Sequence, residues 1–186
     1  MIIDRLRQAK GLRTGLAFFY CDYRDIDNHT TANIIASLIK QLVQSQDSPS
    51  RSLQRLYSES NRGLEVPRAE DLEEVLLDVC QSFDEVFIVI DALDECDAAR
   101  YRPSLLKTLQ RLREGSAKLF ITSRPFANDI KKSFSEGPQI QISAQGSDVR
   151  KYLQEKISNN EAAEDIMDRH LRLEILTTIS EGANGM

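Results

Sequence analysis

Asp91, Asp94 and Glu95 close the segment VFIVIDALDE at residues 86–95. An apolar run that ends in one carboxylate and is followed at once by two more offers what phosphate hydrolysis needs. One oxygen ligand can hold Mg²⁺, which prefers oxygen and keeps several waters, and one carboxylate can orient or deprotonate a water. A second apolar run, KLFITSRP at residues 118–125, ends in Thr122-Ser123-Arg124 and puts a cation at the end of another strand. In an open parallel sheet ligands lie beyond the carboxyl ends of the strands, so Asp91 and Arg124 are expected to face one edge. Asp91 is read as the metal ligand, direct or through water. Glu95, ahead of Asp94, is read as the group that activates water for in-line attack on a γ-phosphate. Arg124 is read as a contact to that phosphate that responds to its loss. The competing reading of the acidic cluster is a helix N-terminus, where the dipole favours Asp and Glu.

The usual partner of such a pair is a G-x-x-x-x-G-K-[ST] loop. The sequence contains none, and no Gly is followed by Lys. GLRTG at 11–15 is no substitute, because it precedes a strand, whereas a phosphate-cradling loop follows a strand and opens a helix. Other chemistries find less support. Ser123 and Ser143 lack a G-x-S-x-G setting. Cys96 stands among acidic residues that raise a thiol pKa. His29 and His170 share no ligand spacing. Phe18, Phe19, Tyr20 and Tyr23 read as strand core and edge rather than a stacking platform, and Lys131-Lys132 as a solvated helix face.

A length of 186 residues allows one domain, or one domain and part of another. The net charge of −5 and the scattered Lys and Arg residues argue against nucleic-acid binding. Cys21, Cys80 and Cys96 are three in number and far apart, which fits neither a disulfide framework nor a zinc site. They read as buried thiols of a reducing, cytoplasmic setting. No apolar run approaches about 18 residues, so no membrane span is expected, and the N-terminus does not read as a signal peptide.

The elements that must position these residues alternate. Residues 2–9 read as the tail of a helix, and 15–21 (GLAFFYC) as a strand. Thr30 or Thr31 caps a helix whose apolar positions are Ile34, Ile35, Leu38, Ile39, Leu42 and Val43. A short helix with Leu53, Leu56 and Tyr57 follows. The next, from about 69 to 83, buries Leu72, Val75, Leu76 and Val79. Val86–Ile90 is apolar without alternation, the pattern of a strand covered on both faces. A helix over 103–113 begins at Pro103, and a strand at 119–122 follows. Pro125 opens a helix through Phe134, and QIQIS at 139–143 reads as a fourth strand. Two helices, 148–157 and about 162–179, then follow with no strand between them. The expected architecture is thus α/β, a three-layer parallel sheet over 1–145, followed by the start of a helical domain over 146–186.

FFYCDYRD, VFIVIDALDEC, LFITSRP and IQIS…DVRKYL together resemble the NACHT-type nucleotide-binding domain of STAND ATPases. They are most similar to the nephrocystin-3-like N-terminal domain of large fungal repeat proteins, over about 2–186. The resemblance implies a sheet of P-loop NTPase type that binds ATP and Mg²⁺. By it Asp91 matches the Walker B aspartate, Asp94-Glu95 the acidic pair behind it, and Arg124 the arginine of the sensor strand. MIIDRLRQ resembles the helix after the P-loop, so the loop and its strand are expected immediately before residue 1, and the chain to be cut at both ends. In the family that strand lies between the sensor strand and the one matching 139–143. Strand 86–90 is therefore expected between 15–21 and 119–122, all parallel.

Three functions follow as expectations. The first is a fragment of a STAND-type switch that binds ATP weakly as given and self-associates or engages other protein domains, with neither nucleic acid nor membrane as partner. The second is a non-catalytic interaction or regulatory module on a degenerate NTPase fold. The third, and weakest, is a phosphohydrolase that uses Asp91, Asp94 and Glu95 alone. Whether the chain is an enzyme stays open at the level of sequence.

Overall fold

Three parallel strands form the sheet, in the order β1–β2–β3. They are β1 (Thr14–Tyr20), β2 (Glu85–Asp91) and β3 (Lys118–Ile121), with Phe18 beside Val89 and Val89 beside Phe120. The computed structural model describes residues 2–9, 11, 13–46, 48–60, 65–115, 117–142, 146–160 and 167–182. The chain divides into two compact units, Met1–Gly137 and Pro138–Met186.

The helices of the first unit follow from their caps and apolar stripes. They are α1 (Ile2–Ala9), α2 (Thr31–Val43), α3 (Arg51–Glu59), α4 (Ala69–Gln81), α5 (Arg102–Glu114) and α6 (Asn128–Ser133). Thr30 caps α2 by accepting the Asn33 N–H at 3.1 Å, an interaction worth about 1 kcal/mol. Ile34, Ile35, Leu38 and Leu42 of α2, Leu72, Val75, Leu76 and Val79 of α4, and Leu105 and Leu109 of α5 are buried in one core with Ala17, Val86, Ile88 and Ile90. Side chains alternate across a strand, so these four strand residues define one sheet face. Gly15 lies on it, and a Cβ there would come within 2.9 Å of Leu42 Cδ2. A side chain at 15 would crowd the tip of Leu42 and the ring of Phe83, 3.2 Å away.

The opposite face carries Leu16, Phe18, Phe87, Val89 and Phe120. Arg7 of α1 lies over the Phe18 ring, 5.3 Å from its centroid, and Lys118 lies over Phe87. Phe120 stays exposed. The two sheet edges differ. On β1, the Gln41 side chain accepts the Phe18 N–H at 3.1 Å and donates to its carbonyl at 2.8 Å, taking the place of a neighbouring strand. On the far side of β3 no strand pairs among the described residues.

The sequence reading needs two corrections. Residues 139–142 form no strand, and Ser143 lies outside the described residues. Ile140 and Ile142 are 81% and 83% exposed. Alternation alone makes no strand without a neighbour to take its backbone groups. The helix expected from Pro125 begins at Asn128 instead, because a turn closed by Ala127 N–H to Arg124 O intervenes.

The second unit pairs α7 (Gly146–Ser158) with α8 (Arg169–Gly182), and the helices bury Ile157 and Leu176 respectively. Arg172 donates to Ser158 Oγ at 2.9 Å. The part of the second expected helix at 162–166 lies outside the described residues. Among the described residues no helix is long and apolar enough to cross a membrane.

Candidate functional site

The site stands where β2 and β3 end side by side. β2 stops at Asp91, and Ala92 takes a left-handed conformation, φ 52° and ψ 45°. Such a conformation costs a residue with a Cβ roughly 1–2 kcal/mol and persists only where its surroundings enforce it. Thr122 does so. Its backbone N–H donates to Ile90 O at 3.0 Å, and its carbonyl accepts the Leu93 N–H at 2.9 Å. Its hydroxyl accepts the Ala92 N–H at 2.8 Å and donates to Asp91 Oδ1 at 2.5 Å.

Beyond Ala92, the 3₁₀ turn Leu93–Glu95 is anchored by fully buried Leu93 and raises two carboxylates toward β3. Arg124 meets both. Its backbone N–H donates to Asp94 Oδ1 at 3.1 Å, its Nε lies 3.6 Å from Asp94 Oδ2, and its Nη2 donates to Glu95 Oε1 at 3.1 Å. The acids are mostly buried, with side chains 13% and 18% exposed, while Arg124 is 69% exposed. The other Glu95 oxygen accepts the Tyr23 N–H at 3.1 Å. The fold therefore gathers Asp91, Asp94, Glu95 and Arg124 at one sheet edge.

Tyr23 reaches Glu95 from the β1–α2 connection. Asp22 caps the turn Tyr23–Asp25 and holds the Arg24 guanidinium. The Arg24 side chain, then its backbone N–H, hold the Asp22 carboxyl down at about 2. His29 is buried, with Nδ1 accepting the Asp22 N–H at 3.2 Å and its ring edge-on to Phe19. Its Nε2 lies 3.7 Å from Asp25 Oδ2 in the same connection.

Burial raises all three thiols, Cys21 and Cys80 to about 12. For Cys96 burial outweighs the opposing Arg102 charge, with Asp97 a smaller upward cause. Arg102 is a site residue the sequence did not announce. Set at the start of α5, it is buried behind the acidic turn, bound to Asp94 O, Cys96 O and Asp129.

Among the described residues no cluster of three or more His, Cys, Asp and Glu is placed to hold a metal. Asp91 does fit an ion bound by one carboxylate and waters: Thr122 fixes Oδ1, and no described residue donates to Oδ2.

A parallel α/β unit with carboxylates and a guanidinium at the C-terminal edge of its strands defines the class. Within that class, residues 1–124 match the family described as Nephrocystin 3, N-terminal, and the chain belongs to this family. The matched stretch ends at Arg124, so it contains all four gathered residues. No curated protein matches the chain.

Proposed function

We propose that this chain carries the metal-and-water half of a nucleotide site in a STAND-type, NACHT-like signalling switch. The observation that supports the reading is the meeting of Asp91, Asp94, Glu95 and Arg124 at one strand edge. Asp91 holds Mg²⁺ through its carboxylate, as a Walker B aspartate. Bound Mg²⁺ neutralises charge on the phosphates of ATP. Glu95 takes the proton of the attacking water, and Asp94 aligns the Arg124 backbone. Arg124 exchanges its carboxylate partners for the γ-phosphate and returns to them once that phosphate is gone. In the resting arrangement both Glu95 oxygens already accept hydrogen bonds, so departure of Arg124 opens more of Glu95 to water. That coupling suits a switch better than a fast hydrolase. Self-association, contacts with other protein domains and a cytoplasmic setting belong to the same reading.

The 186 residues contain no G-x-x-x-x-G-K-[ST] loop, which supplies most phosphate contacts in such sites. Calorimetric titration of the chain with Mg-ATP is expected to give weak or no binding. Sub-micromolar affinity would contradict that expectation. Fused behind a strand–loop–helix segment with that motif, the chain is expected to bind Mg-ATP. Failure to bind in the fused form would favour the alternative, an interaction module on an NTPase-derived fold.

A further inference from the structure

Two arginines tie the β2 loop to the β3 loop, and only one of them is free to move. Arg124 lies on the surface side of the acidic turn. Arg102 lies beneath it with its side chain 9% exposed. Its Nε and Nη2 donate to Cys96 O at 3.1 and 2.8 Å, and Nη2 donates also to Asp94 O at 2.9 Å. Nη1 spans both Asp129 oxygens at 3.2 and 3.1 Å. Asp129 belongs to α6, which follows directly on the Arg124 loop.

Burying a cation is costly unless it is paired and fully hydrogen-bonded, and at the first turn of α5 nothing in the helix requires one. The planar fork of Arg serves several acceptors at once, which the point charge of Lys cannot. Its acceptors are the carbonyls that flank Glu95 and a carboxylate in the first turn of α6. We infer that Arg102 is the positioning residue of the site. It is a fixed brace that keeps Asp94 and Glu95 in place while Arg124 exchanges partners. The inference rests on the roles proposed above for Asp94, Glu95 and Arg124. It is tested without nucleotide, so failure of the ATP reading and failure of the brace give separate results.

Amide hydrogen exchange on the full chain is the test. In Arg102→Lys, exchange is expected to rise roughly tenfold or more at 93–97 and 123–129, and to stay within about twofold in β2. Arg124→Ala, with Arg102 in place, is expected to leave both loops protected. The same change in the Arg102→Lys background is expected to release both further. Asp129→Asn leaves the Asp94 and Cys96 carbonyls engaged and is expected to loosen 123–129 alone. It carries the test if Arg102→Lys does not fold, and unchanged exchange at 123–129 in that variant would then overturn the inference. So would lysine restoring full protection, a uniform rise through the whole first unit, or release of both loops by Arg124→Ala alone.

Discussion

The Arg124 guanidinium sits 3.1 Å from Glu95 Oε1 while the Tyr23 N–H holds Oε2. Each oxygen keeps a second lone pair, and departure of one partner would open more of the carboxylate to a water. The exposed partner is the arginine.

This arrangement separates the roles of the acids. In a nucleotide-binding form of the chain with the phosphate loop supplied, Glu95→Gln is expected to remove most hydrolysis and leave Mg-ATP binding largely intact. Asp91→Asn is expected to weaken metal-dependent binding as well. Calorimetry and phosphate release measured on the same samples check this. Parent-level turnover in Glu95→Gln would contradict the role given to Glu95.

Thr122→Val keeps the shape of the side chain and removes its hydroxyl. The Ala92 N–H then loses its acceptor and Asp91 its donor. The expected loss of stability is about 1–3 kcal/mol, read from denaturant midpoints at unchanged slope. Thr122→Ser retains the hydroxyl and is expected to recover most of that loss.

Acid titration addresses the Tyr23 turn. Asp22 is held at about 2 in the folded chain against an ordinary 3.8. A carboxyl depressed by folding stabilises the protein above its unfolded pKa, and that contribution disappears as pH falls through the folded value. Between pH 4 and 2 the parent is expected to lose stability more steeply than Asp22→Asn. Carboxyl chemical shifts are expected to show Asp22 titrating near the bottom of that window. An Asp22 midpoint near 3.8 would contradict the Arg24 contact.

The buried elements were legible because burial writes a period into sequence. Val86–Ile90 is apolar at every position, and Leu72, Val75, Leu76 and Val79 recur at helical steps; all lie within the core or its sheet. Asp91 and Arg124 were legible because each ends such a run. Arg102 was not, since an arginine in the first turn of a helix has the same letters whether it faces water or holds up a loop. Gln41 was hidden for the same reason. QIQIS failed in the other direction. It has the period of a strand, but pairing is decided by a neighbour, and among the described residues none is present.

The two sheet edges lead to a last, paired prediction. Gln41 satisfies Phe18 on the β1 edge, while the outer edge of β3 has no strand partner among the described residues and Phe120 lies exposed beside it. An unpaired edge is a template for another chain, and a charge placed on it is the usual protection. The chain is expected to associate with rising concentration in sedimentation runs. Phe120→Lys, which places a charge on that strand, is expected to shift the distribution toward monomer. Gln41→Leu acts at the opposite edge by leaving the Phe18 N–H and carbonyl unsatisfied, and is expected to cost about 1–3 kcal/mol and to strengthen association. Equal association in the parent and Phe120→Lys would place the contact elsewhere. A sharp, reversible, high-temperature transition of a parent monomer would mean that the β3 edge needs no partner at all.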